Sequence, residues 1–164
     1  MKISAILDYA ATPHQVFAML TDEDFQVRKC EATGAASYAV SITTDGDRTV
    51  IVSSRDLPTD DFPDFVKSLV GATLAVTETQ DWGPAAKDGT RQGALTVDIA
   101  GAPIDLAGSL SLEPGGQGSV ESVQGDLKAR IPLLGGRIEK AAAPAIESAI
   151  RVEREIAEAW LATD

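Results

Sequence analysis

Ile3, Ala5, Leu7 and Tyr9 alternate with Lys2, Ser4 and Asp8, the period of a strand with one buried face. Ile6 is the single apolar residue on the polar side. Thr12 and Pro13 then supply a helix N-cap and a favoured first helical residue, and Val16, Phe17 and Leu20 fall on one face of the short helix they predict. Thr21 or Asp22 repeats the capping signal. With Glu23 and Asp24 in its first turn, a second helix carries Phe25, Val27 and Cys30 to about Ala32, and Gly34 stops it.

From Ser37 the alternation returns through Tyr38, Val40 and Ile42 to Asp45-Gly46, a dipeptide that favours a tight hairpin. Setting Ile42 opposite Val50 turns Val50, Val52 and Ser54 inward. Leu57-Pro58 ends that strand, and residues Asp61 to Val70 predict a brief helical turn with Pro63 in its opening turn. Its Phe62, Phe65, Val66 and Leu69 suit a cover over an open end. Leu74, Val76, Glu78, Gln80 and Trp82 share a face of the next strand, and Gly93, Leu95, Val97 and Ile99 share one of the strand after it. With Trp82 facing Arg91, Gln80 faces Gly93 and Glu78 faces Leu95. Gly101-Ala102-Pro103 leads to Ile104, Leu106, Gly108, Leu110 and Leu112, and Pro114-Gly115-Gly116 reverses the chain into Val123, Gly125, Leu127, Ala129 and Ile131. The connections are short, so the strands form an antiparallel meander.

The last stretch, Pro132 to Leu161, predicts an amphipathic helix with Ile138, Ala142, Ala145, Ala149, Val152, Ile156 and Trp160 on one face. A helix closing a tight core would carry larger residues than these alanines. The expected fold is α+β: a curved antiparallel sheet of about seven strands wrapped around this helix, with two short helices after the first strand. The expected space lies between Ala142, Ile146, Ala149 and Ile150 on the helix and Val52, Leu74, Val76, Leu95 and Leu106 on the sheet. No repeat or linker interrupts the pattern, so residues 1–164 are expected to form a single domain.

Composition narrows the partners. The 164 residues are 44% hydrophobic, enough for one sizeable core, and 25 acidic against 14 basic residues give a formal charge of −11. Such a charge disfavours nucleic acid and anionic lipid surfaces. MKISAILDYA has no long apolar region, and no stretch reaches the roughly 18 apolar residues of a membrane span; a cytoplasmic protein without integral membrane association is expected. Cys30 is the single cysteine and His14 the single histidine, which excludes an internal disulfide and leaves no donor set for a zinc site. Neither a metal nor another cofactor is expected.

Three places carry a family resemblance. They are the opening Ile3 to Phe17, with its Tyr9-x-x-x-Pro13-x-x-Val16-Phe17 pattern; the strand ending in Trp82; and Gly125 to Lys140, which enters the last helix. In these the chain resembles the SRPBCC or START-like helix-grip superfamily, alongside polyketide cyclases, pollen-allergen-like carriers and lipid-transfer domains. It is most similar to a branch without assigned function common in actinobacteria. The resemblance implies a hydrophobic cavity between sheet and last helix, and it carries over no catalytic residue, because the scaffold hosts several functions. The Rieske-type relatives bind iron, and this chain lacks their ligands.

Strict alternation from Leu74 and Val76 turns Glu78 and Gln80 inward. A buried carboxylate needs a partner, and Arg91 has the matching parity. In one reading Glu78, Gln80, Trp82 and Arg91 form a polar end to an apolar pocket. In the other, a bulge after Val76 leaves them as a solvated strand end near the loop from Gly83 to Gly89. Tyr9 reads as a core residue with its hydroxyl at the surface. Gly135-Gly136 with Arg137 and Lys140 lacks the spacing of a phosphate loop and reads as a sharp turn into the helix, which Pro144 kinks or restarts. Three functions follow: binding or transport of a small hydrophobic ligand (lipid, polyketide or isoprenoid-like); a cyclase or dehydratase in which Glu78 is acid or base with Arg91 tuning it; or a protein-interaction module with a filled core. The sequence leaves the oligomeric state open.

Overall fold

Thr12 forms the capping box its sequence allows: its hydroxyl accepts from the Gln15 amide at 3.2 Å, and the Gln15 side chain accepts from the Thr12 amide at 2.9 Å. A computed structural model describes residues 1–163. Helix α1 (Pro13–Leu20) follows strand β1 (Lys2–Tyr9), and α2 (Glu23–Ala32) follows with Asp22 as its N-cap. Then come β2 (Ser37–Asp45), β3 (Arg48–Pro58), α3 (Asp64–Val70), β4 (Thr73–Trp82), β5 (Arg91–Ile99), β6 (Ile104–Gly115), β7 (Gly118–Ala129) and α4 (Gly135–Ala162). The seven strands form one antiparallel sheet in the order β1-β7-β6-β5-β4-β3-β2. This is the expected α+β helix-grip arrangement. Among the described residues, no helix is long and apolar enough to cross a membrane.

Two registers differ from the expected ones. Between β2 and β3 the turn has only two central residues, Gly46 and Asp47, with Gly46 at φ 62°, so Ile42 lies opposite Ile51 and not Val50. A one-residue slip exchanges the faces of a strand. Thr49, Ile51, Ser53 and Arg55 therefore turn inward, and Val50, Val52 and Ser54 turn away. Between β4 and β5 the ladder continues one step past Trp82, where the Gly83 amide bonds the Gln92 carbonyl at 2.9 Å. Trp82 consequently faces Gly93, Gln80 faces Leu95 and Glu78 faces Val97. That two-residue shift preserves the faces and carries Arg91 beyond the end of β4.

The helix boundaries also shift. Pro63 precedes α3 as its N-cap and is not inside its first turn. Residues 132–134 form a turn before α4, with Leu133 at φ 66° and fully exposed, and α4 then runs unbroken through Pro144. Ala145 points outward, and its neighbour Ile146 takes the inward position. At the free edge of the sheet the Arg154 guanidinium donates to the Ile6 carbonyl at 3.1 Å, which blunts the edge of β1.

Burial is graded along the interior. Trp82, Leu112, Val16, Leu20 and Phe25 are 0% exposed, and all lie where α1 and α2 pack against the sheet. Toward the opposite end Leu106, Ile104 and Ala129 keep 7%, 8% and 8% exposure. Beyond them the inward-facing Leu74, Val97 and Ile99, with Phe65 and Leu69 of α3 and Ala142, Ile146 and Ile150 of α4, are only half-buried.

Candidate functional site

At the border between the tight and loose halves the fold encloses charge. Glu78 lies inward on β4 between Val76 and Gln80, because β4 pairs with β3 and β5 without a bulge. Its Oε2 accepts from Arg55 Nη2 at 3.1 Å, and its Oε1 accepts from Gln80 Nε2 at 2.9 Å. Gln80 Oε1 in turn accepts from the Trp82 indole at 3.0 Å. Lys29, from the last turn of α2, places Nζ 3.6 Å from Glu78 Oε1 and 3.1 Å from Glu153 Oε2 on α4. Four elements thus bring two cations and two carboxylates together.

Burial alone would push the Glu78 carboxyl up, but Lys29 and Arg55 beside it, with the Gln80 hydrogen bond, hold it down at about 2. Burial would likewise pull the Lys29 ammonium down, and the charges of Glu153 and Glu78 overcome it and hold it above its ordinary value. Glu78 is a fixed anion and Lys29 a fixed cation at neutral pH. Breaking such a set by removing one member leaves a buried charge without compensation.

Glu121 on β7 is the counter-example. It is 2% exposed and accepts from the Tyr9 hydroxyl at 2.8 Å. Burial and the Glu153 charge raise its carboxyl to about 7, against the lowering effects of the Tyr9 hydrogen bond and Lys29. The same burial, with Glu121 nearby, raises the Tyr9 phenol well above its ordinary value. The Tyr9 hydroxyl is therefore buried, not at the surface.

Lys29, Thr33, Arg55, Glu78, Ala149, Val152 and Glu153 line a cavity of about 20 Å³, room for one water-sized group. Arg55 Nε, from a residue lining it, is buried without a hydrogen-bond partner, and Lys29 Nζ meets Glu153 and Glu78 only in ion pairs that lack hydrogen-bond geometry. Buried donors are seldom left so.

The thirteen residues expected at the site divide as follows. Glu78, Gln80 and Trp82 form one hydrogen-bonded chain, and Ala149 meets Glu78 across the cavity. Leu74, Val76, Leu95 and Leu106 lie on the inward face of the sheet, and Ala142, Ile146 and Ile150 pack toward it from α4. Val52 lies on the outer face. Arg91 does not reach Glu78: its guanidinium sits 3.6 Å from the Phe17 ring centroid and donates to the Gly83 carbonyl at 2.8 Å. The polar corner is therefore completed by Lys29, Arg55 and Glu153, with Glu121 alongside. Signals for all four exist: Lys29 lies one turn after Phe25, Arg55 shares parity with Ile51, Glu121 with Val123, and Glu153 falls on the stripe of Ile146, Ala149 and Ala157.

Comparison with known proteins gives a consistent picture. A family model described as "Protein of unknown function (DUF2505)" matches residues 4–161. The uncharacterized protein Rv0481c of Mycobacterium tuberculosis is 25% identical over 162 residues, covering 94% of this chain and 92% of its own length. Among solved structures, TTHA0849 from Thermus thermophilus aligns with TM-score 0.61 at 14% identity, covering 96% of this chain and 94% of that one. The Zhui aromatase/cyclase from a Streptomyces species aligns with TM-score 0.59 at 11% identity, covering 96% and 92%. At these identities the structural likeness is one of fold.

Proposed function

The chain belongs to the DUF2505 family, proteins of unknown function, and from that premise we propose that it binds a small hydrophobic ligand between its sheet and α4. One observation carries this reading: of the apolar residues turned toward each other by β4, β5, α3 and α4, Leu74, Val97, Ile99, Leu69 and Ile146 stay half-buried while Val66, Val76 and Ile138 are enclosed, whereas the core at the α1 and α2 end is enclosed almost throughout. Facing apolar surfaces that remain accessible can gain further burial from an apolar guest, at roughly 25 cal/mol per Å² covered. Alanine at 142 and 149 keeps the α4 wall low.

An acid or base role for Glu78 has less support. At about 2 its carboxyl holds no proton to donate at neutral pH and is a feeble base. Glu121, at about 7, has a suitable pKa but is sealed beneath Tyr9. The arrangement favours holding a molecule over transforming one.

Two measurements test the reading: native mass spectrometry of the protein as expressed, and titration with the apolar dye Nile red. A retained lipophilic mass, or saturable dye emission that Ile146→Asp reduces at least tenfold in affinity, is the expected result. Absence of both overturns the proposal.

A further inference from the structure

Lys29 Nζ and Arg55 Nε are the two buried side-chain atoms without a hydrogen-bond partner among the described residues, and both residues line the same small cavity. Their side chains are 7% and 8% exposed. From this geometry we infer that the cavity receives the carbonyl oxygen of the bound ligand, with Lys29 Nζ and Arg55 Nε as its donors, so that the ligand is a hydrophobic ketone or similar neutral carbonyl compound. The inference rests on the hydrophobic-ligand reading above and narrows it.

Size, polarity and charge agree on that class. A cavity of about 20 Å³ admits one oxygen and not a whole head group. Both unused groups are donors, so the guest atom must accept. The carboxylates are already engaged: Glu78 by Arg55, Gln80 and Lys29, and Glu153 by Lys29. The two cations also face two carboxylates in direct contact, with Glu121 close behind, so no positive charge is left over for an anionic head. Ala149 links the corner to the apolar surface, since it lines the cavity and lies one turn from Ile146 on α4. On the opposite wall, Val76 directly precedes the inward Glu78 on the same face. A ligand body resting along Ile146 and Val76 thus brings a terminal carbonyl to the two donors.

The test uses three probes of one shape, acetylnaphthalene, ethylnaphthalene and naphthoate, each competing with Nile red for the purified protein. The ketone is expected to bind about tenfold more tightly than the hydrocarbon, the worth of one charge-assisted hydrogen bond, and naphthoate more weakly than the ketone. In Arg55→Lys, which keeps a cation for Glu78 and deletes Nε, the ratio of ketone to hydrocarbon affinity should fall severalfold. The carbonyl stretching band of bound acetylnaphthalene should also move to lower frequency in the unaltered protein, a readout that holds even where the variant does not fold. Equal ketone and hydrocarbon affinities, an unshifted carbonyl band, or naphthoate as the tightest probe overturns the inference while leaving hydrophobic binding intact. Failure of Nile red and all three probes to bind overturns both.

Discussion

Glu121 carries the least favourable charge in the interior. Its ordinary value of 4.5 becomes about 7 in the folded chain, so the native state holds a proton that the unfolded chain releases between those limits. Stability therefore falls as pH rises from about 4.5 to about 7, by up to roughly 3 kcal/mol in all, and the full cost persists above that range. Glu121→Gln keeps an acceptor for the Tyr9 hydroxyl and removes the charge. It should unfold at higher denaturant than the unaltered chain near pH 8, and the difference should vanish near pH 4; a gap that does not change with pH would refute it. Glu78 works with the opposite sign, since its lowered carboxyl stabilises the fold above about 4.5 and that contribution is lost as pH falls toward about 2. The inward turn of Glu78 was legible in sequence because a strand without a bulge keeps its alternation. Its partners were harder to read: the parity of Arg55 with Ile51 pointed inward only once the turn proved one residue shorter than assumed, and Lys29, one turn after Phe25, met Glu78 only through the way α2 docks.

At the scale of elements, the sheet depends on close backbone approach between β6 and β7, where Gly108 pairs with Gly125. A Cβ at Gly108 would run into the Gln124 carbonyl oxygen and lie 2.6 Å from Gly125 Cα, positions held by backbone that cannot swing aside. Gly108→Ala should cost about 3 kcal/mol or more in chemical denaturation. Gly136→Ala, with nothing within 4 Å of the added carbon, should be neutral or stabilising by about 0.5 kcal/mol; similar costs at both sites would contradict this account. The order of β2 to β7 and the faces of six of the seven strands were readable from alternation and short connections. The start of α4 was not, because Leu133 adopts a positive φ that no sequence preference announces.

Across the whole molecule, the gradient of burial sets where the fold opens. The end bounded by α3 and the first turns of α4 is held by Val66 and Ile138 among otherwise half-buried side chains, and the end bounded by α1 and α2 by mostly enclosed ones. Amide hydrogen exchange should accordingly be faster in α3 and in residues 138–146 than in α1 and the adjoining half of β7. Saturation with Nile red should slow the first group selectively; uniform protection along the chain would argue against a loose end. The non-local pairing of β1 with β7 has no local signal in the sequence.

Trp82 has an optical consequence. Its indole is enclosed and hydrogen-bonded through Gln80 to Glu78, while Trp160 lies edge-on to Phe25 with Arg28 over its ring. The chain thus contains two chromophores in different surroundings, one of them wired to the polar corner. Any guest that disturbs Glu78 changes the field at the Trp82 indole through Gln80, so the protein's own ultraviolet emission responds to occupation of the corner.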